Sequence, residues 1–278
     1  MNAIDALFQR LRGQGRKAFM PFLTAGDPDL SATRKLIHEL AVNGADLVEI
    51  GFPYSDPIAD GPIIQASYTR ALSRGIQLAD IFKTIADVSA NPPFADGRIP
   101  LVAMVSYSLV QRRGLENFLA QASTAGLSGA IVPDLPIDEA DELSRAAAAR
   151  DFKLIHLVTP TTPRDRAVRI ARVSTGFLYY VSVTGITGER EKLPEELISQ
   201  IRWLHTQTDL PICIGFGVSK AEHVRLLRDV ADGVIVGSAL VRHLEQAGQR
   251  SLDEIARDAG ALTRTLAQAL NPEAKNGH

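Results

Sequence analysis

Residues 46–62 read Asp46-Leu-Val-Glu-Ile-Gly-Phe-Pro-Tyr-Ser-Asp-Pro-Ile-Ala-Asp-Gly-Pro62. An apolar run, 47–52, passes into a turn rich in proline, aspartate and glycine, and a helical pattern follows. The same order of events recurs along the chain. Further apolar runs at 18–23, 101–105, 129–133, 154–158, 177–182, 212–215 and 234–237 bring the candidate strands to eight. Several are apolar on both faces, as expected of parallel strands with a filled interior on one side and helices on the other. Amphipathic segments lie between them. Leu36, Ile37 and Leu40 share one helical face, and Leu115, Phe118, Leu119 and Ala122 share another. Residues 138–149 are alanine-rich, and Ser219 and Glu222 have capping-box spacing ahead of Val224, Leu226 and Leu227. Eight βα units in 278 residues predict an α/β fold, a (β/α)8 TIM barrel. A doubly wound sheet usually has fewer strands and a glycine fingerprint after the first, and neither is present.

Ile4, Leu7, Phe8 and Leu11 fall at helical spacing ahead of the first strand. They predict an extra N-terminal helix over the closed end of the barrel. A transit peptide fits less well, because the first strand follows at once and Asp5 is acidic. No serine- or glycine-rich linker divides the chain, so a single barrel domain over 1–270 and a frayed tail over 271–278 are expected.

Composition narrows the function classes. Thirty Lys and Arg stand against 32 Asp and Glu, a net charge of -2 that gives nucleic acid no basic surface. Cys213 is the single cysteine, which excludes an intrachain disulfide framework and a cysteine-based zinc site and suits a cytoplasmic location. No apolar run approaches the roughly 18 residues of a membrane span.

A barrel carries its chemistry at the C-terminal ends of its strands. On the second strand, alternation turns Val48 and Ile50 toward the helices and Leu47, Glu49 and Gly51 toward the interior. A carboxyl facing inward has its pKa raised by desolvation, which suits a proton shuttle. A structural carboxylate bound to backbone amides is the other reading. The loop that follows brings Asp56 and Asp60 to the mouth, and local signals do not rank the two. The sixth, seventh and eighth strands end in Thr184-Gly-Ile-Thr-Gly188, Gly215-Phe-Gly217 and Gly237-Ser238. Glycine turns ahead of two successive helices favour a phosphate site, and 184–190 has the composition of a mobile lid or of an inert loop.

Absences also count. No lysine lies near the C-terminal end of a strand, where a Schiff-base aldolase needs one. His156 is the one histidine in a candidate strand and reads as a satisfied wall residue, so no metal cluster emerges. Sugar-phosphate isomerase barrels use acids ending strands one and five. Asp27 fits the first, but the fifth ends in Thr159-Pro160.

The chain resembles the tryptophan synthase alpha subunit family. The resemblance is carried by Pro21-Phe-Leu-Thr-Ala-Gly-Asp-Pro28, Glu49-Ile-Gly-Phe-Pro-Tyr-Ser-Asp-Pro-Ile-Ala-Asp-Gly-Pro62, Pro133-Asp-Leu-Pro136, Tyr179-Tyr-Val-Ser-Val-Thr-Gly-Ile-Thr-Gly188, Gly215-Phe-Gly217 and Val236-Gly-Ser238. These run in family order across nearly the whole chain. The resemblance implies a lyase of tryptophan biosynthesis that cleaves indole-3-glycerol phosphate to indole and glyceraldehyde 3-phosphate. It implies no cofactor in this chain, and a beta subunit with pyridoxal phosphate as partner in a heterotetramer of two alpha and two beta chains. It matches Glu49 to the proton-shuttling glutamate and Asp60 to the indole-binding aspartate. Gly188, Gly217, Gly237 and Ser238 match phosphate-binding positions, and Thr187 matches a loop threonine that helps close the site. Phe22, Ile131, Tyr179 and Phe216 match positions around the indole and the glutamate. The chain departs from the family after the third strand, where Val105-Ser-Tyr-Ser-Leu-Val110 stands in place of a loop with Asn-Pro. It also carries Val183 where some members have arginine. A stand-alone lyase needs the same site. A non-catalytic phosphate-binding barrel that activates a partner would not need Glu49 and Asp60.

Overall fold

Alternation along the strands sorts the apolar residues into two layers, and the site lies at one end of the inner layer. A computed structural model describes residues 1–58, 60–182, 193–215 and 217–272. The strands are β1 (Ala18–Thr24), β2 (Val48–Gly51), β3 (Leu101–Met104), β4 (Leu127–Ile131), β5 (Lys153–Ile155), β6 (Leu157–Val158), β7 (Leu178–Val181), β8 (Ile212–Gly215) and β9 (Gly233–Val236). All pairings are parallel, in the order β5-β4-β3-β2-β1-β9-β8-β7-β6. The two ends of this order are halves of one chain segment. The expected fifth strand, 154–158, is interrupted at His156, so its first half pairs with β4 and its second with β7. At the break His156 N donates to Ser174 Oγ at 2.9 Å rather than to a strand. The eight expected strands therefore close as a (β/α)8 barrel with the fifth split in two.

The helices are α1 (Ala3–Gly13), α2 (Leu30–Val42), α3 (Pro62–Ser73), α4 (Leu78–Ser89), α5 (Tyr107–Arg113) and α6 (Leu115–Thr124). They continue with α7 (Asp141–Ala148), α8 (Arg164–Val173), α9 (Glu195–His205), α10 (Ala221–Leu227), α11 (Ser238–Leu244) and α12 (Leu252–Leu270). Val48, Ile50, Leu101, Ala103, Leu178 and Ile214 face these helices in the outer layer. Met20, Leu47, Val102, Ile155, Phe177 and Cys213 fill the barrel interior. Ile4, Leu7, Phe8 and Leu11 of α1 join that inner layer, so the N-terminal helix packs on the interior as its spacing predicted. Burying each such side chain contributes about 1.5–3 kcal/mol, so packing rather than propensity holds an 11-residue helix in place. Its start is fixed by Asn2, whose side chain accepts from Ile4 N and donates to Ser128 O just inside β4.

Three local readings change. The capping box expected at Ser219 and Glu222 does not form, because α10 begins one residue later, after Lys220, with no side-chain cap. The capping box that does form is Ser251 with Glu254, at the head of α12. The alanine-rich segment 138–149 is broken by a short 3-10 turn, Ile137–Glu139, before α7 begins. Asn271 is bound in both directions to the backbone of Lys17, at 2.8 Å each way, and residues 273–278 lie outside the described residues.

Asp27, the acid after β1, is fully buried and engaged. Arg70 of α3 binds both its oxygens, at 3.0 and 2.6 Å, and Ser67 donates to it at 2.6 Å. A buried carboxylate needs such partners to stay charged. The result is a clamp that fixes α3 against the end of β1.

Candidate active site

Phe22 and Glu49 are register partners on β1 and β2, and both side chains point inward at the C-terminal end of the barrel. Glu49 is 1% exposed, and neither carboxyl oxygen has a hydrogen-bond partner among the described residues. The alternative of a structural carboxylate tied to amides therefore has no support in the geometry. Burial, with a smaller push from the charge of Asp60, raises the Glu49 pKa to about 8. The carboxyl holds its proton at neutral pH.

Two glycines make room for the aromatic rings beside it. A β-carbon on Gly51 would fall 2.4 Å from Phe22 Cζ, and one on Gly215 would fall 2.1 Å from Tyr179 Cε2. No other residue permits rings to lie this close to the backbone at the ends of β2 and β8.

The loop after β2 separates its two aspartates, which local sequence signals left level. Asp56 is exposed and accepts from Ser55 Oγ at 2.8 Å. Asp60 is half-buried, lines the same cavity as Glu49, and accepts from Tyr54 Oη at 3.2 Å. Its backbone is tied down as well: its N–H donates to Pro57 O, and its carbonyl accepts from Gln65 of α3. Burial pushes the Asp60 pKa up, and the Tyr54 bond pulls it back.

The cavity between these groups measures about 410 Å³, within the range of small-molecule sites. Phe22, Glu49, Asp60, Tyr179, Gly217, Gly237 and Ser238 all border it. Ile131 lies in the filled interior layer and does not border it. Thr187, Gly188, Phe216 and the loop 184–190 lie outside the described residues. Among the described lining residues there is no lysine, arginine or histidine. Two acids in a cavity without a cation cannot both ionise cheaply, and the more deeply buried one keeps its proton. No described cluster of three or more His, Cys, Asp or Glu side chains is placed to hold a metal ion. His156 is buried and its Nε2 has no hydrogen-bond partner among the described residues, contrary to expectation, and burial lowers its pKa to about 4.

At the far side of the cavity, Gly237 O accepts from Leu240 N and Val241 N, which begins α11. The first N–H groups of a helix have no acceptor within it, so those following Gly237 are available to a ligand. Among the described residues, a β-carbon on Gly217 would meet nothing within 4 Å, so their packing does not require glycine there.

Sequence reasoning missed several residues of the site. Met104, Leu157 and Ile64 line it as apolar walls, and Tyr54 is the donor to Asp60. The unusual segment after β3 has a structural account. Ser106 caps α5 by accepting from Ser108 N, while Asp134 accepts from Tyr107 N at 2.7 Å and from Ser106 Oγ at 3.0 Å.

A family model described as tryptophan synthase alpha chain matches residues 8–271. The chain is 50% identical over 278 residues to the tryptophan synthase alpha chain of Rhodopirellula baltica, covering 98% of this chain and 99% of that one. It is 45% identical over 259 residues to that of Synechococcus elongatus, covering 93% and 96%. Among solved structures, a tryptophan synthase alpha chain from Legionella pneumophila superposes with a TM-score of 0.87 at 32% identity, covering 99% of each chain. An aminoacrylate-bound tryptophan synthase from M. tuberculosis gives 0.84 at 28% identity, over 98% of this chain and 100% of that one. Matched from end to end in sequence and fold, the chain belongs to the tryptophan synthase alpha chain family, a family of lyases.

Proposed function

We propose that this chain cleaves indole-3-glycerol phosphate to indole and glyceraldehyde 3-phosphate, with Glu49 as the acid–base group and Asp60 as the charge-stabilising group. The observation that carries the reading is the inward, unpartnered carboxyl of Glu49, raised to about 8, beside a second carboxyl held by Tyr54. The bond from indole C3 to the glycerol chain breaks only if C3 is protonated, so that the ring departs as a neutral molecule. Protonated Glu49 supplies that proton. The positive charge then appears on the ring nitrogen, where the Asp60 carboxylate accepts the N–H and stabilises it. As the C–C bond breaks, its electron pair returns to the ring, and the adjacent hydroxyl becomes an aldehyde. The hydroxyl proton passes to Glu49, which regenerates the acid.

The phosphate is assigned to the backbone around Gly217, Gly237 and Ser238 and to Gly188, and the apolar ring to Phe22, Tyr179, Ile131 and Phe216, with Thr187 closing over them. Of the described members, all but Ile131 border the cavity. We read residues 1–270 as one barrel domain working in the cytoplasm with a beta subunit, in a complex of two alpha and two beta chains. The pyridoxal phosphate belongs to that partner and none to this chain. Ile58 is 93% exposed on the loop that carries Asp60, so an apolar side chain stands ready for a partner at the mouth.

Glu49→Gln keeps the shape and removes the shuttle, so turnover should fall by about 10²–10⁴ while substrate still binds. Near wild-type indole release by the purified variant would sink the assignment. Asp60→Asn should slow cleavage by about 10²–10³ in the isolated chain, and Asp56→Asn, which alters an exposed group, should do much less. A rate assay that found Asp56 essential and Asp60 dispensable would exchange the two roles. Gly217→Val clashes with no described residue, so calorimetry should show glycerol phosphate binding weakened about tenfold with no loss of melting temperature. Unchanged affinity in the folded variant would move the phosphate elsewhere.

A further inference from the structure

Three hydrogen bonds to Asp60 are described, and they differ in where they come from. Its N–H donates to Pro57 O at 3.1 Å, and its carboxyl accepts from Tyr54 Oη at 3.2 Å, so both partners belong to the same loop and move with it. Its carbonyl accepts from Gln65 Nε2 at 2.7 Å, and this partner belongs to α3. Gln65 is the fourth residue of α3 and half-buried, and its own N–H donates to Gly61 O at 3.0 Å as the helix begins. Its side chain folds back past the start of the helix to the residue before the N-cap. The helix is itself fixed, because Ser67 and Arg70 both hold the buried Asp27. Gln65 therefore ties Asp60 to the scaffold.

Helix stability does not call for a glutamine here. The first turn of a helix favours acids, and α4, α6, α7, α8, α9, α10 and α12 all have one there. α3 has no acid in its first turn and no side-chain cap. A glutamate at 65 would have the same length and suit the dipole, but when ionised it only accepts and would face a carbonyl. Lysine or arginine would donate, but would bring a charge beside a cavity whose described lining has no cation. Glutamine is the side chain of this length that donates without charge.

We propose that Gln65 is a positioning residue for the cleavage, its amide fixing the Asp60 backbone on α3 and so aiming the Asp60 carboxyl into the cavity. This rests on the reading of Asp60 as the group that stabilises the indole nitrogen, and adds what sets its direction. Stabilisation of a developing charge depends on where the oxygen stands, and a misplacement of about 1 Å can cost about 10²-fold.

The test is steady-state cleavage of indole-3-glycerol phosphate by the full chain in purified Gln65→Met, Gln65→Glu, Asp60→Ala and the double variant Gln65→Met/Asp60→Ala. Methionine matches glutamine in length and helix propensity but cannot donate. Gln65→Met should lower kcat about tenfold, with KM little changed and the melting temperature kept. Gln65→Glu should lose at least as much kcat while melting no lower than the wild type, the reverse of what a helix-stabilising role predicts. On top of Asp60→Ala, Gln65→Met should cost less than about twofold more, because the group it aims is gone. Wild-type kcat in folded Gln65→Met overturns the proposal, and so does a tenfold loss that persists in full in the double variant. If Asp60→Ala itself kept wild-type kcat, the reading of Asp60 would fail and this proposal with it. A large loss in Asp60→Ala beside none in Gln65→Met overturns the proposal alone.

Discussion

Glu49 carries its carboxyl into the barrel interior, where neither oxygen has a hydrogen-bond partner among the described residues. The cost of ionising a group there is the constraint around which the site is arranged. An amide or a cation beside it would remove that cost and also remove the proton. The described cavity wall instead offers Phe22, Tyr179, Met104 and Leu157, and its other acid is set at the mouth, where a phenol compensates its charge. Burial raises the pKa of both carboxyls, but only Asp60 has a phenol donor that offsets part of the effect, and this difference lets two acids take different roles.

Holding that difference requires a stiff scaffold. The interior below Glu49 is packed by Met20, Val102 and Ile155 and closed by α1, so the site opens only at the C-terminal end. Gly51 and Gly215 admit the rings of Phe22 and Tyr179 against the strand ends. The Asp27 clamp fixes α3, and α3 in turn fixes, through Gln65, the backbone of Asp60. The acid that ends β1 is thus spent on structure. This is also why Asp27, which the sequence offered as a strand-ending acid, does not reach the chemistry.

Much of this was legible in the sequence. Strand alternation put Glu49 on the interior face, and the βα rhythm put its neighbours at one end of a barrel, because both depend on periodicity alone. The ranking of Asp60 over Asp56 was not legible locally, since it depends on how the loop turns Asp60 inward and leaves Asp56 in solvent. Tyr54 gave no signal, because an aromatic residue in a loop reads as packing until a carboxyl is found beside it. The break at His156 was hidden for a similar reason: 154–158 is continuous as a pattern, and only pairing with different neighbours divides it. The cap at Ser219 failed by one residue, a shift that propensity does not resolve.

The central claim is that Glu49 is protonated at neutral pH, and the direct measurement is the titration of its side-chain carboxyl by carbon-detected NMR, assigned with Glu49→Gln. A midpoint near 8 is expected, against the ordinary glutamate value of 4.5 taken for the unfolded chain. Between those two values the native state binds the extra proton. The wild type should therefore lose stability relative to Glu49→Gln as pH rises from about 4.5 through about 8, and no further above that. A Glu49 midpoint near 4.5, with a stability difference from Glu49→Gln that does not change across that window, would contradict the account.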